Sequence, residues 1–518
     1  MNKRGVRLLK KWQTGFWSLL FSRMSLFLIL LLFQFFMLFS FFFWLEDLLP
    51  TVIGGQILLT VGMVLHLINS RLDPTGKITW LVVIMVAPVF GSLLYLFSVK
   101  EIGHRAMKKR LADLSQQTKP MLQQTPAYRQ LECQDSGAAA LANYLYHRGG
   151  YPVYAHTQTR YLPSGKVFLE QLLAELEQAK TTIFLQYFII EEGQMWGQVL
   201  DVLIRKAAQG VDVRVIYDGT CEFTLLPKGY PKLLAQYGIQ CKVFSPFIPF
   251  LSTHYNYRNH RKIALIDGQV AFTGGINLAD EYIEARAKFG RWKDTGILLR
   301  GAAVRSFTQI FLESWNLDAK QPDYAPLQTM PAPALSQGWT LPYGDRPLDG
   351  ERIGQNVYLS LLNRAKNDVY IMTPYLILDS EMENALIFAA VRGVTVKLIL
   401  PGIPDKKIPY ALAKTHYSAL LESGVEIYEY TPGFVHAKVF LCDDLEGVVG
   451  SINLDYRSLF HHFECATYLY NTPSLREIAA DFAEILPQCR RVTLETVKKE
   501  KRAVRLLGKL CKLFAPLL

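Results

Sequence analysis

Two stretches of the chain follow one pattern, HRKIALIDGQVAFTGGIN at residues 260–277 and HAKVFLCDDLEGVVGSIN at residues 436–453. Each begins with His-x-Lys, has an Asp five residues after the Lys, and ends in Gly-x-x-Asn. Five fixed positions at one spacing are a specific signal when they occur twice. The repeat therefore predicts that the chain contains two related units.

Similar secondary structure is predicted around each copy. Four segments precede each motif. They are a β-rich segment, a helical segment ending at a glycine, a second β-rich segment and, later, a third β-rich segment. These segments are 181–189, 195–209, 211–219 and 238–247, and then 368–377, 380–392, 394–402 and 424–433. Strands alternating with helices predict an α/β fold of mixed sheets flanked by helices. We expect the two units to pack as a pseudo-two-fold pair.

The domain boundaries follow from changes in composition. A proline-rich stretch with Pro322, Pro326, Pro331, Pro333 and Pro342 reads as an extended connector. The expected order is a membrane region at 1–100, a linker at 101–150, the first unit at 151–320, the connector at 321–345, the second unit at 346–489 and a basic amphipathic tail at 490–518.

The N-terminal region is strongly apolar. Residues 24–44 contain no charge and are long enough to cross a bilayer as a helix. Residues 51–69 and 78–98 form a further apolar pair around a polar turn, in which Pro88 would kink the second arm. Basic residues flank the region on both sides, which three full spans cannot place on one side of the membrane. The sequence therefore predicts two or three transmembrane helices.

The positive charge lies at the two ends of the chain. Residues 1–23 hold six Lys and Arg without an acid, and residues 490–518 hold nine against two acids. The body between them has a slight excess of acids, whereas nucleic-acid enzymes carry their charge where the polymer binds. Basic tails beside apolar segments instead favour anionic membrane lipids as partners, and no nucleic acid.

The tail has apolar residues at helical spacing with basic residues between them. In 502–518 the apolar positions include Val504, Leu507, Leu510, Cys511 and Phe514. A helix lying in the lipid headgroup region and a helix packed on the body both fit this pattern.

The seven cysteines show no C-x-x-C pair and no zinc-ligand spacing. We interpret them as reduced thiols, which favours a cytoplasmic catalytic domain. Because the sequence offers no other metal-ligand cluster, we expect no metal and no cofactor.

The residue types in the repeat suit phosphodiester chemistry. His260 and Lys262 are two positions apart and share a strand face, as do His436 and Lys438. If the copies converge, one His can attack phosphorus while the other exchanges protons with the alcohols. The Lys residues can stabilise negative charge in the transition state.

The remaining repeat positions are expected to support this pocket. Asp267 is followed by a glycine, as in a hairpin turn, so we expect Asp267 and Asp443 to orient the loop. Asn277 and Asn453 are expected next to the lysines as further donors. A carboxylate could hold each histidine in one tautomer, and Asp294 and Glu464 are the candidates, with a surface carboxylate as the alternative for each.

These motifs resemble the phospholipase D superfamily and, more narrowly, the bacterial cardiolipin synthases. The resemblance covers nearly the whole chain and is carried by TGGINLADEY at 273–282, WKD at 292–294, GSINLDYRS at 450–458, Glu464, the apolar hairpin with Asp73-Pro74 and the final APLL. It implies transfer of a phosphatidyl group between two phosphatidylglycerol molecules, through a phosphatidyl-histidine, at the bacterial plasma membrane. It also implies His260 as the nucleophile, His436 as the acid and base, Asp294 in support of His260, and Glu464 in support of His436.

Three other functions are compatible with parts of the pattern. A phospholipase D that uses water as acceptor would produce phosphatidic acid. A nuclease of the same superfamily would share the motif, although the near-neutral body argues against it. An inactive lipid-binding scaffold is disfavoured because both motifs are intact.

Overall fold

The computed structural model describes residues 49–70, 72–99, 105–246 and 257–517, together with Leu32 and Phe36. The predicted membrane segment at 24–44 lies outside the described residues apart from these two. Contacts divide the chain into two compact units. The smaller comprises Met1–Arg105, Phe247–Tyr255 and Pro516–Leu518, and the larger comprises Ala106–Pro246 and Asn256–Ala515.

The described residues of the smaller unit form α1 (Leu49–Ile68), α2 (Pro74–Val86) and α3 (Pro88–Val99). The segment predicted as one kinked arm is two helices, because Pro88 lacks the N–H that would continue α2. Trp80 and Tyr95 pack edge to face at 5.3 Å in a small core. Among the described residues, no helix combines the length and the apolar character needed to cross a bilayer. Transmembrane helices in this region stay a prediction.

The other elements start at Arg105. The helices are α4 (Arg105–Thr118), α5 (Ala127–Gln134), α6 (Ser136–Tyr144), α7 (Gly165–Gln178), α8 (Gln194–Ala208), α9 (Cys221–Thr224), α10 (Tyr230–Ala235), α11 (Val304–Trp315), α12 (Ile353–Arg364), α13 (Ser380–Val391), α14 (Lys407–Glu422), α15 (Ser474–Ile485), α16 (Leu494–Lys498) and α17 (Arg502–Lys512). The strands are β1 (Thr157–Leu162), β2 (Thr182–Tyr187), β3 (Asp212–Asp218), β4 (Gln240–Phe244), β5 (Arg258–Asn259), β6 (Ile263–Ile266), β7 (Val270–Gly274), β8 (Arg291–Lys293), β9 (Gly296–Gly301), β10 (Trp339–Asp345), β11 (Asp368–Met372), β12 (Thr395–Pro401), β13 (Glu426–Tyr430), β14 (Gly433–Val435), β15 (Val439–Cys442), β16 (Glu446–Gly450), β17 (His462–Tyr470) and β18 (Cys489–Arg491).

The two large sheets repeat one topology. The first has the order β1-β9-β7-β6-β2-β3-β4, and the second has β10-β17-β16-β15-β11-β12-β13-β18 with β5 added beside β17. In both sheets the strands before the motif pair in parallel and the motif hairpin pairs antiparallel. The predicted duplication of a mixed α/β unit is confirmed. We call β1–β9 with their helices the first half, and β10–β18 with theirs the second half.

Two predicted boundaries were wrong. The connector ends earlier than expected, because Trp339–Asp345 forms β10 and pairs with β17 along its whole length. The second half therefore begins at 339 rather than 346. The predicted linker at 101–150 is largely helical over its described residues, 105–150. Its side chains Leu111, Leu131 and Leu141 are buried in the core, because α4 to α6 each present an apolar face to it.

The halves contact each other reciprocally. Helix α11 follows β9 and packs against β10 of the second half, and α15 follows β17 and packs against β1 of the first half. Strand β5 pairs in parallel with β17, and β14 pairs in parallel with β8. Each half therefore places the strand before its motif against the other half.

Candidate active site

The Asp of each motif closes the hairpin that follows the His and Lys. Asp267 lies at the turn between β6 and β7 with a φ of 52°, and glycine follows it. Its carboxylate accepts backbone N–H bonds from Lys180, Thr181 and Thr182 at 2.7–2.9 Å. Burial alone would raise the pKa of Asp267, but these bonds lower it. Asp443 accepts the equivalent bonds from Lys366, Asn367 and Asp368, so the two carboxylates fix their hairpins to the starts of the neighbouring strands β2 and β11.

Each motif histidine is bonded to a carboxylate of the other half. His260 Nδ1 lies 2.8 and 3.0 Å from the two oxygens of Glu464, and His436 Nδ1 lies 2.6 Å from Asp294 Oδ2. The family pattern implied the opposite assignment, with Asp294 behind His260 and Glu464 behind His436, and this was wrong. All four side chains are buried.

The exchange of strands explains this crossing. Because β5 pairs with β17, the His260 N–H donates to the carbonyl of Phe463, one residue before Glu464. Because β14 pairs with β8, the His436 N–H donates to the carbonyl of Lys293, one residue before Asp294. Each histidine is thus held by its backbone and its ring to the same short segment of the other half.

The two carboxylates have different surroundings at one repeat position. Ser451 donates its hydroxyl to Glu464 Oε2 at 2.5 Å. The corresponding residue of the first half is Gly275, where an added Cβ would lie 2.1 Å from Asp294 Oδ1. Glu464 therefore accepts a hydrogen bond from a serine hydroxyl. At the equivalent repeat position of the first half, the carboxylate of Asp294 fills the space that a side chain would occupy.

Both motif lysines are buried beside their histidines. The Nζ atom of Lys262 donates to the carbonyl of His260 at 2.5 Å, and Lys438 donates to that of His436. Burial lowers the pKa of Lys262 to about 7, against the attraction of Glu464 and with the repulsion of Lys438. Burial likewise lowers the pKa of Lys438 to about 8. A buried ammonium group is stabilised when an anion binds beside it, so both lysines favour a negatively charged ligand in this site.

The ionisable groups of the two halves act on each other. Burial lowers the pKa of His436 well below its ordinary value, with further lowering by Lys438 and by Lys262 of the first half. Burial raises the pKa of Asp294 to about 7. Burial would also raise the pKa of Glu464, but His260 and its other donors bring it below the usual range. The motif side chains of both halves thus converge on one site.

The two asparagines anchor neighbouring groups. Asn277 accepts a bond from the Ile189 N–H at 3.0 Å and donates to the Tyr282 hydroxyl at 2.6 Å. Tyr282 in turn meets the edge of the His436 ring at 5.5 Å. Asn453 is buried and donates to Asp455 at 3.0 Å. The sequence predicted these amides beside the lysines, whereas these bonds go to residues that flank the site.

No role was predicted for His462, which lies in the site. Its ring centroid is 5.3 Å from that of His260, and its Nδ1 is 3.8 Å from Glu464. Period two in a strand puts His462 on the same face as Glu464, so spacing alone could have indicated it. His260, His462 and Glu464 bring potential metal-ligating atoms within 4.8 Å of one another. The hydrogen bonds of His260 and Ser451 already use both Glu464 oxygens, which accounts for this cluster without an ion.

Arg261, the residue between His260 and Lys262, was also missed. It is buried and donates to the carbonyls of Glu464 and Asp345 at 3.0 and 3.1 Å and to the Ser314 hydroxyl at 3.2 Å. Its guanidinium lies between the halves, since Ser314 belongs to the first half and Asp345 to the second. Arg261 therefore ties the first motif to the segment that carries Glu464.

A family profile described as "Cardiolipin synthase, PLD-like domain" matches residues 172–315 and 358–486. These ranges contain both motifs and cover more than half of the chain. The chain belongs to this family. It is therefore a phosphatidyltransferase of the phospholipase D-like type, as the motif resemblance implied. A second profile, described as "Phospholipase_D-nuclease N-terminal", matches residues 58–98.

Full-length relatives agree with the family. A protein of Streptococcus mutans described only as uncharacterised is 52% identical over 88% of this chain and 100% of that protein. Cardiolipin synthases of Alkalihalophilus pseudofirmus and Halalkalibacterium halodurans are each 33% identical over 88% of this chain and 92% of their own length.

A solved structure shares the fold of most of this chain. Phosphatidylserine synthase of Haemophilus influenzae matches with a TM-score of 0.57 and 15% identity, over 74% of this chain and 100% of that one. This likeness supports the tandem arrangement of two phospholipase D-like units.

Proposed function

We propose that this chain is a cardiolipin synthase that transfers the phosphatidyl group of one phosphatidylglycerol to another and releases glycerol. The crossed pairs His260–Glu464 and His436–Asp294 carry the proposal. Because Nδ1 of each histidine bonds to a carboxylate, Nε2 is left for reaction at phosphorus and for proton transfer. The lysine beside each histidine matches a substrate with a negatively charged phosphodiester.

In the first step, Nε2 of His260 attacks phosphorus and the bond from phosphorus to the glycerol oxygen breaks. The leaving oxygen takes a proton from His436, so neutral glycerol departs and a phosphatidyl-histidine stays. Burial raises the pKa of Asp294 to about 7, so the Asp294–His436 pair can hold this proton near neutral pH.

In the second step, a hydroxyl of another phosphatidylglycerol gives its proton to His436 and its oxygen attacks phosphorus. The bond between phosphorus and His260 breaks, which releases cardiolipin and restores the starting state. In each step, negative charge on the non-bridging oxygens of the phosphate is greatest in the transition state. Lys262 and Lys438 are buried donors that stabilise such charge without reorganisation.

The difference between the carboxylates supports His260 as the nucleophile. Glu464 is kept ionised by His260 and by the Ser451 hydroxyl, so it can stabilise the cationic phosphatidyl-imidazole. Asp294, with its raised pKa, suits the histidine that exchanges protons.

The same proposal includes the location of the protein. Several N-terminal spans would attach it to the bacterial plasma membrane, with the catalytic body in the cytoplasm. Its support is the match of residues 58–98 to the N-terminal family profile and the apolar surface of α1, on which Leu58 is 76% and Leu65 57% exposed. The positive tails and near-neutral body favour lipid over nucleic acid as the substrate.

The test is a product assay with glycerol-labelled phosphatidylglycerol in detergent micelles. The expected products are cardiolipin and glycerol in equal amounts, with no product from the His260→Ala and His436→Ala variants. Rapid denaturation of the wild type in SDS at mildly alkaline pH is expected to trap lipid phosphate on His260, because acid would cleave the phosphorus–nitrogen bond. Phosphatidic acid without cardiolipin would instead identify a hydrolase, and cleavage of DNA or RNA would identify a nuclease.

A further inference from the structure

The C-terminal helix α17 packs on the body by a narrow contact. Gly508 faces α14 so closely that an added Cβ would lie 2.3 Å from the Ala411 carbonyl. Cys511 packs against a small buried cluster that contains Leu412 and Ala515. Of the two alternatives left by the sequence, packing on the body is therefore present. It uses only one face of the helix.

A second face of α17 is apolar and uncovered. Leu506 and Leu510 are each 60% exposed, Leu507 is 37% exposed and Phe514 is 42% exposed. At 3.6 residues per turn the three leucines fall within about 100° of the helix surface, and Phe514 lies just beyond the end of α17. Exposed large apolar groups gathered on one face mark an interaction site rather than ordinary surface.

A third face of α17 adjoins the apolar one and is basic. Arg502, Arg505 and Lys509 are exposed and make no ion pair with any residue that the structure describes. Lys512, by contrast, lies close enough to Glu383 on α13 to lower the pKa of that carboxyl. The outward side of the helix thus joins an apolar strip to a strip of unpaired cations.

We infer that the outward side of α17 is a membrane-docking surface that rests on anionic phospholipid, with its leucines among the acyl chains and its cations among the phosphates. An apolar strip beside Lys and Arg is the pattern of helices that lie in the interfacial layer. A second copy of this face is a poor partner, because it would bring the same cations together. Only the choice of lipid rests on the proposed function.

The experiment places an environment-sensitive NBD probe on the full chain. The probe is attached at Leu510→Cys, in a background where the exposed and half-buried thiols Cys133, Cys241, Cys489 and Cys511 are replaced by Ser or Ala. Leu335→Cys is the matched control, since Leu335 is 97% exposed and lies outside the tail. Each labelled protein is reconstituted in nanodiscs of phosphatidylcholine, with or without phosphatidylglycerol, and compared with detergent solution.

The expected result is a blue-shifted, brighter probe at position 510 in discs that contain phosphatidylglycerol, a smaller change in phosphatidylcholine alone, and no change at position 335. The Arg505→Gln and Lys509→Gln variants are each expected to raise the phosphatidylglycerol content needed for half of the shift. One cation near an anionic surface contributes about fivefold in binding.

Two outcomes would overturn the inference. The probe at position 510 could behave like the control in every disc, which would mean that the face does not meet lipid. It could instead be shifted already in detergent, in step with dimer formation on a sizing column, which would assign the face to a second copy.

The Leu506→Gln/Leu510→Gln double variant is expected to keep cardiolipin formation in micelles. A lipid-dependent shift without cardiolipin formation by the wild type would defeat the proposed function and leave the surface in place.

Discussion

At the scale of single residues, the pairing of His260 with Glu464 is what the sequence did not predict. The motif itself identified His260, Lys262, His436 and Lys438 as neighbours, and the structure brings them together. The carboxylates were chosen correctly as residues but assigned to the wrong histidines. Nearness in sequence favoured the wrong assignment, because the bonded partners are 204 and 142 positions apart.

The crossed pairing can be tested with conservative variants. Glu464→Gln is expected to reduce turnover by about 10²–10⁴-fold, because the amide cannot hold the cationic imidazole as the carboxylate does. In the His436→Ala background, which can form but not complete the adduct with an activated lipid ester, Glu464→Gln is expected to abolish the trapped adduct and Asp294→Asn to leave it. Mass spectrometry of the quenched protein measures this. The reverse pattern would restore the pairing implied by the family motif.

The lysines predict the pH dependence of the reaction. In the free enzyme the pKa of Lys262 is lowered to about 7 and that of Lys438 to about 8, so both lose their protons above these values. The kcat/KM for phosphatidylglycerol is therefore expected to fall above about pH 7–8. On the acid side, the lowered pKa of His260 places the loss of its neutral form below pH 6.5.

A kcat/KM profile in neutral detergent checks this prediction. A fall that begins only near pH 10.5, the ordinary value for lysine, would contradict it. Thermal denaturation measured over the same range separates loss of activity from loss of fold.

At the scale of elements, the hydrophobic pattern of the sequence predicted the central strands well but missed a strand at the edge of a sheet. The predicted strands at 211–219 and 394–402 are Asp212–Asp218 and Thr395–Pro401. Strand β10 was missed because it contains Pro342 and Gly344, which usually interrupt strands. It lies at the edge of its sheet, where one missing N–H is tolerated, and pairing with β17 along its whole length stabilises it.

The short pairing of β14 with β8 should control the position of His436. In the Gly433→Ala variant the added Cβ would lie 2.1 Å from the Arg291 carbonyl and force these strands apart. Since a shift of about 1 Å in a catalytic group can cost about 10²-fold, turnover is expected to fall by that order with little change in far-UV circular dichroism. Wild-type turnover would show that this pairing does not position the histidine.

A matched glycine serves as the control. Gly197 lies in α8, and an added Cβ there meets nothing within 4 Å. Gly197→Ala is expected to keep turnover and to raise the free energy of unfolding by about 0.5–1 kcal/mol, because alanine favours the helix.

At the scale of the whole catalytic body, the halves share one core and are joined by an exposed connector. The largest buried cluster contains Ile263 and Phe307 of the first half together with Ile371 and Val439 of the second. Leu335 between the halves is 97% exposed. Cohesion therefore comes from packing and not from the covalent link.

Cleavage of the connector is expected to leave an active complex. A protease site inserted at Leu335 should allow complete cutting while both fragments stay together on a sizing column and continue to form cardiolipin. Denaturant should be needed to separate them. If the fragments separate after cleavage, or stay together without activity, the shared core does not hold the active site together.

The crossed pairing also bears on how the protein is made. Glu464 is the 204th residue that a ribosome adds after His260, and the two must then fold against each other. A chain cut short anywhere in between carries a complete first motif but an unsupported imidazole. Premature termination therefore yields fragments that lack the carboxylate that orients His260, so the phosphatidyl transfer proposed above is expected only once the second half has been made.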